Sequence, residues 1–146
     1  MKRVGIVTRA IDPASLIAEG QSPEFGAISL FVGTVRHTSD GKAVQALDYS
    51  AYTAMAESEL AEIVSEAGAR FGAPAVVVEH RIGPLQLGDV SVAIVSASAH
   101  REQAIECTRF VIEEIKKRVP IWKREHYADG TREWVDPTRA GEARAP

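Results

Sequence analysis

The chain is 146 residues long, 45% hydrophobic and 25% charged, with a formal net charge of −3. That suits one globular domain with its own core, and the mild acidity argues against bulk binding of nucleic acid or of an anionic membrane. The single cysteine, Cys107, excludes an internal disulfide and points to a reducing cytoplasm, and no apolar run approaches the roughly 20 residues of a membrane span.

Residues 3–9 alternate and are β-branched, which predicts a strand. The basic opening meets Asp12 and Pro13 too soon to read as a signal peptide. Asp12 as N-cap, Pro13 at the first helical position and Gly20 as a stop predict a short helix. Residues 26–36 form a nearly continuous apolar run that suits a buried strand, and Gly33 within it marks a bulge or a close approach. Asp40-Gly41 is a turn signal between that run and residues 44–52, so the two segments are expected to pair as a hairpin with a long, mobile tip.

Residues 53–72 read as a helix capped by Thr53, with Met55, Leu60, Ile63, Val64 and Ala67 along one stripe. A strand over 73–83, a Gly/Pro turn over 83–89 and a strand over 90–99 follow. Residues 100–118 have the helical period, with Ala104, Cys107, Val111 and Ile115 on one side, and Pro120 ends the helix. Segments 121–127 and 131–136 flank Asp129-Gly130 as a closing hairpin. The expected organisation is one domain over 1–136 and a flexible C-terminal tail over 137–146. The alternation of elements predicts an α/β or α+β sandwich, with helices on a mixed or antiparallel sheet.

Three cationic clusters carry the chemistry. "KKRVPIWKRE" at 116–125 gathers Lys116, Lys117, Arg118, Lys123 and Arg124 around Pro120 and Trp122. The first three complement the dipole of a helix C-terminus, but the last two follow the proline and need another reason. A stiff turn can hold Lys116 beside Lys123. Two close ammonium groups depress each other's pKa, which makes one a better base or nucleophile; alternatively the pair is a fixed anion cradle. His100 and Arg101 open a predicted helix, where cations have the wrong sign for the dipole unless an anion docks there. Arg36 and His37 end an apolar strand and begin a loop, a common place for binding residues.

The histidines at 37, 80, 100 and 126 show no metal-ligand spacing, and no phosphate-loop, dinucleotide or nucleophile-elbow motif is present, so neither a metal nor a resident cofactor is expected. Cys107 lies on the apolar side of its helix and reads as a buried small residue, and Trp122 and Trp134 read as core in preference to interface anchors. From the residues alone, the inference is a domain that holds an anionic ligand, with a phosphorylated one among the candidates. A peptide clamp without chemistry and an RNA-binding domain are the competing classes; only Trp122 and Tyr127 offer the aromatics the latter needs.

The segments "FVGTVR", "LDYSAYTAMAESEL", "HRIGPLQLGD", "SASAHR" and "KKRVPIWKRE" follow one another as in the molybdopterin synthase catalytic (large) subunit family, which the chain resembles over about residues 25–135. The resemblance implies an α/β hammerhead-like fold with an additional antiparallel β-sheet subdomain. It implies a sulfurtransferase that converts cyclic pyranopterin monophosphate into molybdopterin. The sulfur would come from the C-terminal Gly-Gly thiocarboxylate of a small ubiquitin-like subunit, within a heterotetramer built on a homodimer of large subunits. It implies catalytic roles for Lys116 and Lys123, and a substrate pocket of Arg36, His100, Arg101, Phe31 and Glu125 drawn from both large subunits. Ile112 stands where some members carry Met.

Overall fold

The computed structural model describes residues 1–135; Asp136 and the tail expected over 137–146 lie outside the described residues. The elements in chain order are β1 (Lys2–Val7), α1 (Pro13–Gly20), β2 (Ala27–Thr34), β3 (Thr38–Ser39), β4 (Lys42–Ala51), α2 (Thr53–Phe71), β5 (Ala75–Arg81), β6 (Gly83–Gln86), β7 (Val90–Ser98), α3 (Arg101–Arg118), β8 (Ile121–Tyr127) and β9 (Arg132–Val135).

One sheet runs β1-β5-β7-β2, with β1 parallel to β5 and the other pairs antiparallel. Its central strands are apolar on both faces because helices cover both. Alternate side chains divide between them. Val76, Val78, Val92 and Ile94 join the core under α2 and α3, whereas Val77, Ala93 and Val95 meet Leu16 of α1 on the other face. The second sheet is antiparallel, with order β3-β4-β8-β9 and β6 on the other side of β4. Its inner residues Val44, Leu47, Leu85, Ile121 and Tyr127 continue the α2/α3 core. This is an α+β fold of the hammerhead-like kind with an added antiparallel sheet, as the resemblance implies.

Asp12 caps α1 by accepting the Ala14 amide at 3.1 Å, as its sequence predicts. Several local expectations are corrected. Segments 26–36 and 44–52 do not pair: β2 joins β7 in the first sheet, and β4 joins β8 and β6 in the second. The strand of 26–36 is not the buried one its apolar run suggests: β2 is an edge strand beside the doubly covered β7, with no fully buried residue and with Ile28 and Leu30 exposed, while β4, with Val44, Leu47 and Tyr49 buried among exposed or half-buried neighbours, suits a one-sided sheet. Asp40 and Gly41, both at positive φ, instead close the tight hairpin of β3 with β4. Residues 83–86, expected as a turn, form β6; an edge strand tolerates Pro84, which lacks an amide proton.

Thr53 is the first helical residue of α2 rather than its cap, and Ala56, not the exposed Met55, faces the core. Trp122 and Trp134 are half-buried rather than core residues: Trp122 meets Tyr52 edge-on at 4.9 Å, and Arg124 lies over Trp134 at 5.1 Å.

Candidate functional site

A cavity of about 400 Å³ opens where the two sheets meet. The end of β2 supplies Phe31, Gly33 and, just past the strand, Arg36. The strand bulges between Gly33 and Thr34, and a Cβ at Gly33 would come within 2.8 Å of Val92, so the glycine permits the close approach that its place in the strand suggested. Strand β4 adds Leu47 and Tyr49, the start of β7 adds Ser91 and Val92, the last turns of α3 add Ile112 and Lys116, and β8 adds Lys123 and Glu125.

Helix α3 stops before Pro120, and the chain turns at once into β8. The stiff connection therefore brings Lys116 and Lys123 to one cavity, as the spacing around Pro120 predicted. Period two on β8 sends Lys123, Glu125 and Tyr127 inward and Trp122, Arg124 and His126 outward. Register then sets Tyr49 opposite Lys123 and Leu47 opposite Glu125.

The five cations of 116–124 have separate fates. Arg118 reaches Glu59 at 2.7 Å and Glu66 at 2.6 Å on α2, with Glu114 at 3.4 Å and Glu62 at 3.8 Å, which ties the two long helices together. Lys117 lies 3.5 Å from Glu114. Arg124 faces outward to Asp48 at 3.4 Å, and His126 shares that carboxylate at 2.6 Å. Lys123 stands 3.6 Å from Glu125. Lys116 has no ion pair among the described residues. Arg36, across the cavity, has none either.

Burial of the Lys116 ammonium lowers its pKa, and the charge of Lys123 lowers it further. Much of the Lys116 residue still touches solvent at the open mouth, so its desolvation is partial. Glu125 is only 2% exposed. It accepts hydrogen bonds from Ser39 at 3.0 Å and from the Tyr127 hydroxyl at 2.9 Å, so its place in the cavity wall is that of a buried anchor for Lys123. Three cations and one carboxylate line the cavity, a net charge of +2 in a partly enclosed space. Such a site favours an anion and stabilises negative charge that develops during a reaction.

His100 and Arg101 lie elsewhere. Both are exposed at the N-terminus of α3, roughly 24 Å from Lys116 at 1.5 Å per residue, so one copy of the chain does not bring them to this cavity. His100 makes no side-chain capping bond.

Sequence reasoning missed Tyr49 and Ser91, which line the cavity, and His80, which packs behind Tyr49. Ser91 donates to the Gly33 carbonyl at 3.2 Å, and burial raises the pKa of Tyr49. His80 packs edge-on to Tyr49 at 5.1 Å, with Nδ1 2.9 Å from the Arg81 carbonyl. Burial depresses its pKa to about 4, with Lys116 adding to the effect, so the ring is neutral at pH 7. Cys107 is buried, as expected, and burial raises its thiol pKa.

The sequence matches the MoaE protein family over residues 6–118. It is 44% identical to the molybdopterin synthase catalytic subunit of Thermoplasma volcanium, covering 90% of this chain and 96% of that one. The fold superposes on the crystal structure of molybdopterin synthase from Staphylococcus aureus with a TM-score of 0.84 and 36% identity, covering 89% of this chain and 94% of that one. It also superposes on a complex of subunits 1 and 2 of the molybdopterin-converting factor from Helicobacter pylori, with a TM-score of 0.72 and 28% identity over 88% of this chain and 87% of that one. Together with the positions of Phe31, Arg36, Lys116, Lys123 and Glu125 around one cavity, these matches show that the chain belongs to the MoaE family of molybdopterin synthase catalytic subunits.

Proposed function

We propose that this chain transfers sulfur from the C-terminal thiocarboxylate of a small ubiquitin-like subunit to cyclic pyranopterin monophosphate, forming the dithiolene of molybdopterin. The observation that carries the reading is Lys116: an unpaired lysine with a lowered pKa, beside Lys123, in a cavity of net positive charge. Both reactants are anions. The thiocarboxylate tail fits the mouth beside Lys116, and Arg36 offers a guanidinium to the substrate's phosphate. The Helicobacter pylori neighbour, solved as a complex of two subunits, supports a partner of this kind.

The tail enters as a thiocarboxylate and leaves as a carboxylate. Its sulfur forms a bond to a side-chain carbon of the pterin as the C–O bond at that carbon breaks, the oxygen leaving as water or with the opened phosphate; water then adds to the acyl carbon, and the acyl C–S bond breaks. The carboxylate departs, the sulfur remains as a thiol, and one proton is released for each acyl–sulfur link cleaved. Lys116, less hydrated than a surface lysine, stabilises the oxyanion at the acyl carbon or accepts the proton of the attacking water. Glu125 fixes Lys123 beside it. The distance between Lys116 and the pair His100 and Arg101 fits a site shared in a homodimer, in which the second copy's α3 N-terminus adds cations for the phosphate.

The test is purified protein mixed with thiocarboxylated small subunit and cyclic pyranopterin monophosphate, with molybdopterin read by fluorescence of its oxidised derivative. Product from wild type, little from Lys116→Ala, and retained small-subunit binding by that variant are expected. Absence of product from a wild-type protein that still binds the small subunit refutes the enzyme and leaves a peptide clamp.

A further inference from the structure

Strands β8 and β9 set two acids, Glu125 and Glu133, directly opposite each other in register. Like charges at such positions oppose pairing. Glutamine at either position would accept the same hydrogen bond without the repulsion, at the loss of one ion pair, to Lys123 or to Lys42. The Tyr127 hydroxyl lies between them, 2.9 Å from Oε1 of Glu125 and 3.1 Å from Oε2 of Glu133. A phenol has one proton, so at any instant it can serve only one of these carboxylates as donor.

The row has an inner and an outer end. Inside, Lys123 Nζ stands 3.6 Å from Glu125 Oε2, on the cavity wall. Outside, Glu133 is 34% exposed and lies 3.6 Å from the exposed Lys42, whose ammonium also sits 4.8 Å from the centre of the Tyr127 ring. Between the ends, Glu125 and Tyr127 are each 2% exposed. Five groups, Lys123, Glu125, Tyr127, Glu133 and Lys42, thus run from the cavity to solvent through buried protein, alternating cation, acid, hydroxyl, acid and cation.

We propose that Glu125, Tyr127 and Glu133 form a proton relay that drains the sulfur-transfer cavity to solvent through Lys123. The inference rests on the sulfur-transfer reading, in which each acyl–sulfur cleavage releases a proton inside the cavity. In each cycle the Lys123 ammonium gives a proton to Glu125. Glu125 passes it to the Tyr127 oxygen as Tyr127 hands its own proton to Glu133, and Glu133 releases it to water. Hydroxyl rotation then resets Tyr127. No electrons are transferred and no other bond is made or broken. Glu133 and Tyr127 touch no substrate; they act through Lys123 and Glu125.

The decisive variant is Glu133→Gln, at a half-exposed position that keeps an acceptor for Tyr127 but cannot pass a carboxyl proton. Tyr127→Phe is its buried counterpart. Turnover is measured in dilute, bulky buffer and again with added imidazole or formate, small carriers that can enter an open cavity. Small-subunit affinity is measured alongside. The relay predicts a fall of about tenfold or more in kcat for Glu133→Gln, with KM and small-subunit affinity unchanged, and recovery on adding the carriers. An active wild type whose Glu133→Gln variant keeps full kcat, or loses kcat without recovery, overturns the relay and leaves the row a structural ladder. An inactive wild type overturns the sulfur-transfer reading, and the relay with it.

Discussion

His80 should make the fold acid-sensitive in a pH range where few other groups titrate. The ring is buried, packs on Tyr49, bonds the Arg81 carbonyl and lies within the field of Lys116. None of these neighbours is a carboxylate that would welcome a charge. Its pKa is about 4 in the fold, against 6.5 for an ordinary histidine. Above 6.5 both folded and unfolded chains carry a neutral ring, and pH does nothing through this residue. Below 6.5 the unfolded chain binds a proton that the fold refuses, so stability falls with falling pH until the folded ring also protonates near 4. At about 1.4 kcal/mol per pH unit, the full gap is worth about 3 kcal/mol, of which about 2 kcal/mol is lost between pH 7.5 and pH 5. Asp48 is held low by His126 and Arg124, and Glu79 by Arg9 and Arg3, so both lose their contributions only below the ordinary carboxylate range. Urea unfolding at pH 7.5, 6.5, 5.5 and 5, at one protein concentration, should show this slope in wild type and a much flatter one in His80→Gln. Equal slopes in the two proteins would refute the assignment, whatever the absolute stability of the variant.

Three further substitutions test other links. Gly33→Ala drives a Cβ to 2.8 Å from Val92 Cγ1 beside the cavity and should cost about 1–3 kcal/mol in a urea melt, with a matching fall in turnover. Cys107→Ala removes a fully buried sulfur and should cost about 1 kcal/mol while molybdopterin yield per folded molecule stays at the wild-type level; a folded but inactive variant would make the thiol a sulfur carrier. Arg118→Met cuts the tie between α2 and α3 and should cost about 1 kcal/mol at low salt and less at high salt, because the network is only partly buried.

The local code of this sequence was readable where one signal had one meaning. Asp12-Pro13 starts α1, Pro120 ends α3, and Ala104, Cys107, Val111 and Ile115 are all buried on the face their spacing assigns. Partner choice between strands was not readable. Residues 26–36 lie next to 44–52 in the chain, yet hydrogen-bond to β7, and their apolar run forms an edge strand with no fully buried residue. The same blindness hid half of the site. Tyr49 and Ser91 reach the cavity only because β4 pairs with β8 in one register and β7 with β2 in another. The cations of 116–125 were visible as a group, and the period-two alternation of β8 separates Lys123 from Arg124 without any structure. Nothing local, however, shows that carboxylates on α2 wait for Arg118 and not for Lys116.

That last contrast bears on function most directly. Lys116 and Arg118 are two residues apart on one helix of an acidic protein. Arg118 has four carboxylates within 3.8 Å, whereas Lys116 has none within ion-pair distance among the described residues. Instead Lys116 faces a cavity where burial, and then the charge of Lys123, make it harder to hold a charge. A chain selected for stability alone would turn a glutamate toward Lys116, as it turns four toward Arg118. Leaving the lysine unpaired in a partly closed, positive cavity costs the fold electrostatic energy, and an arriving anion recovers it. The destabilised cation therefore points to a bound state in which an anion supplies the partner that the chain withholds.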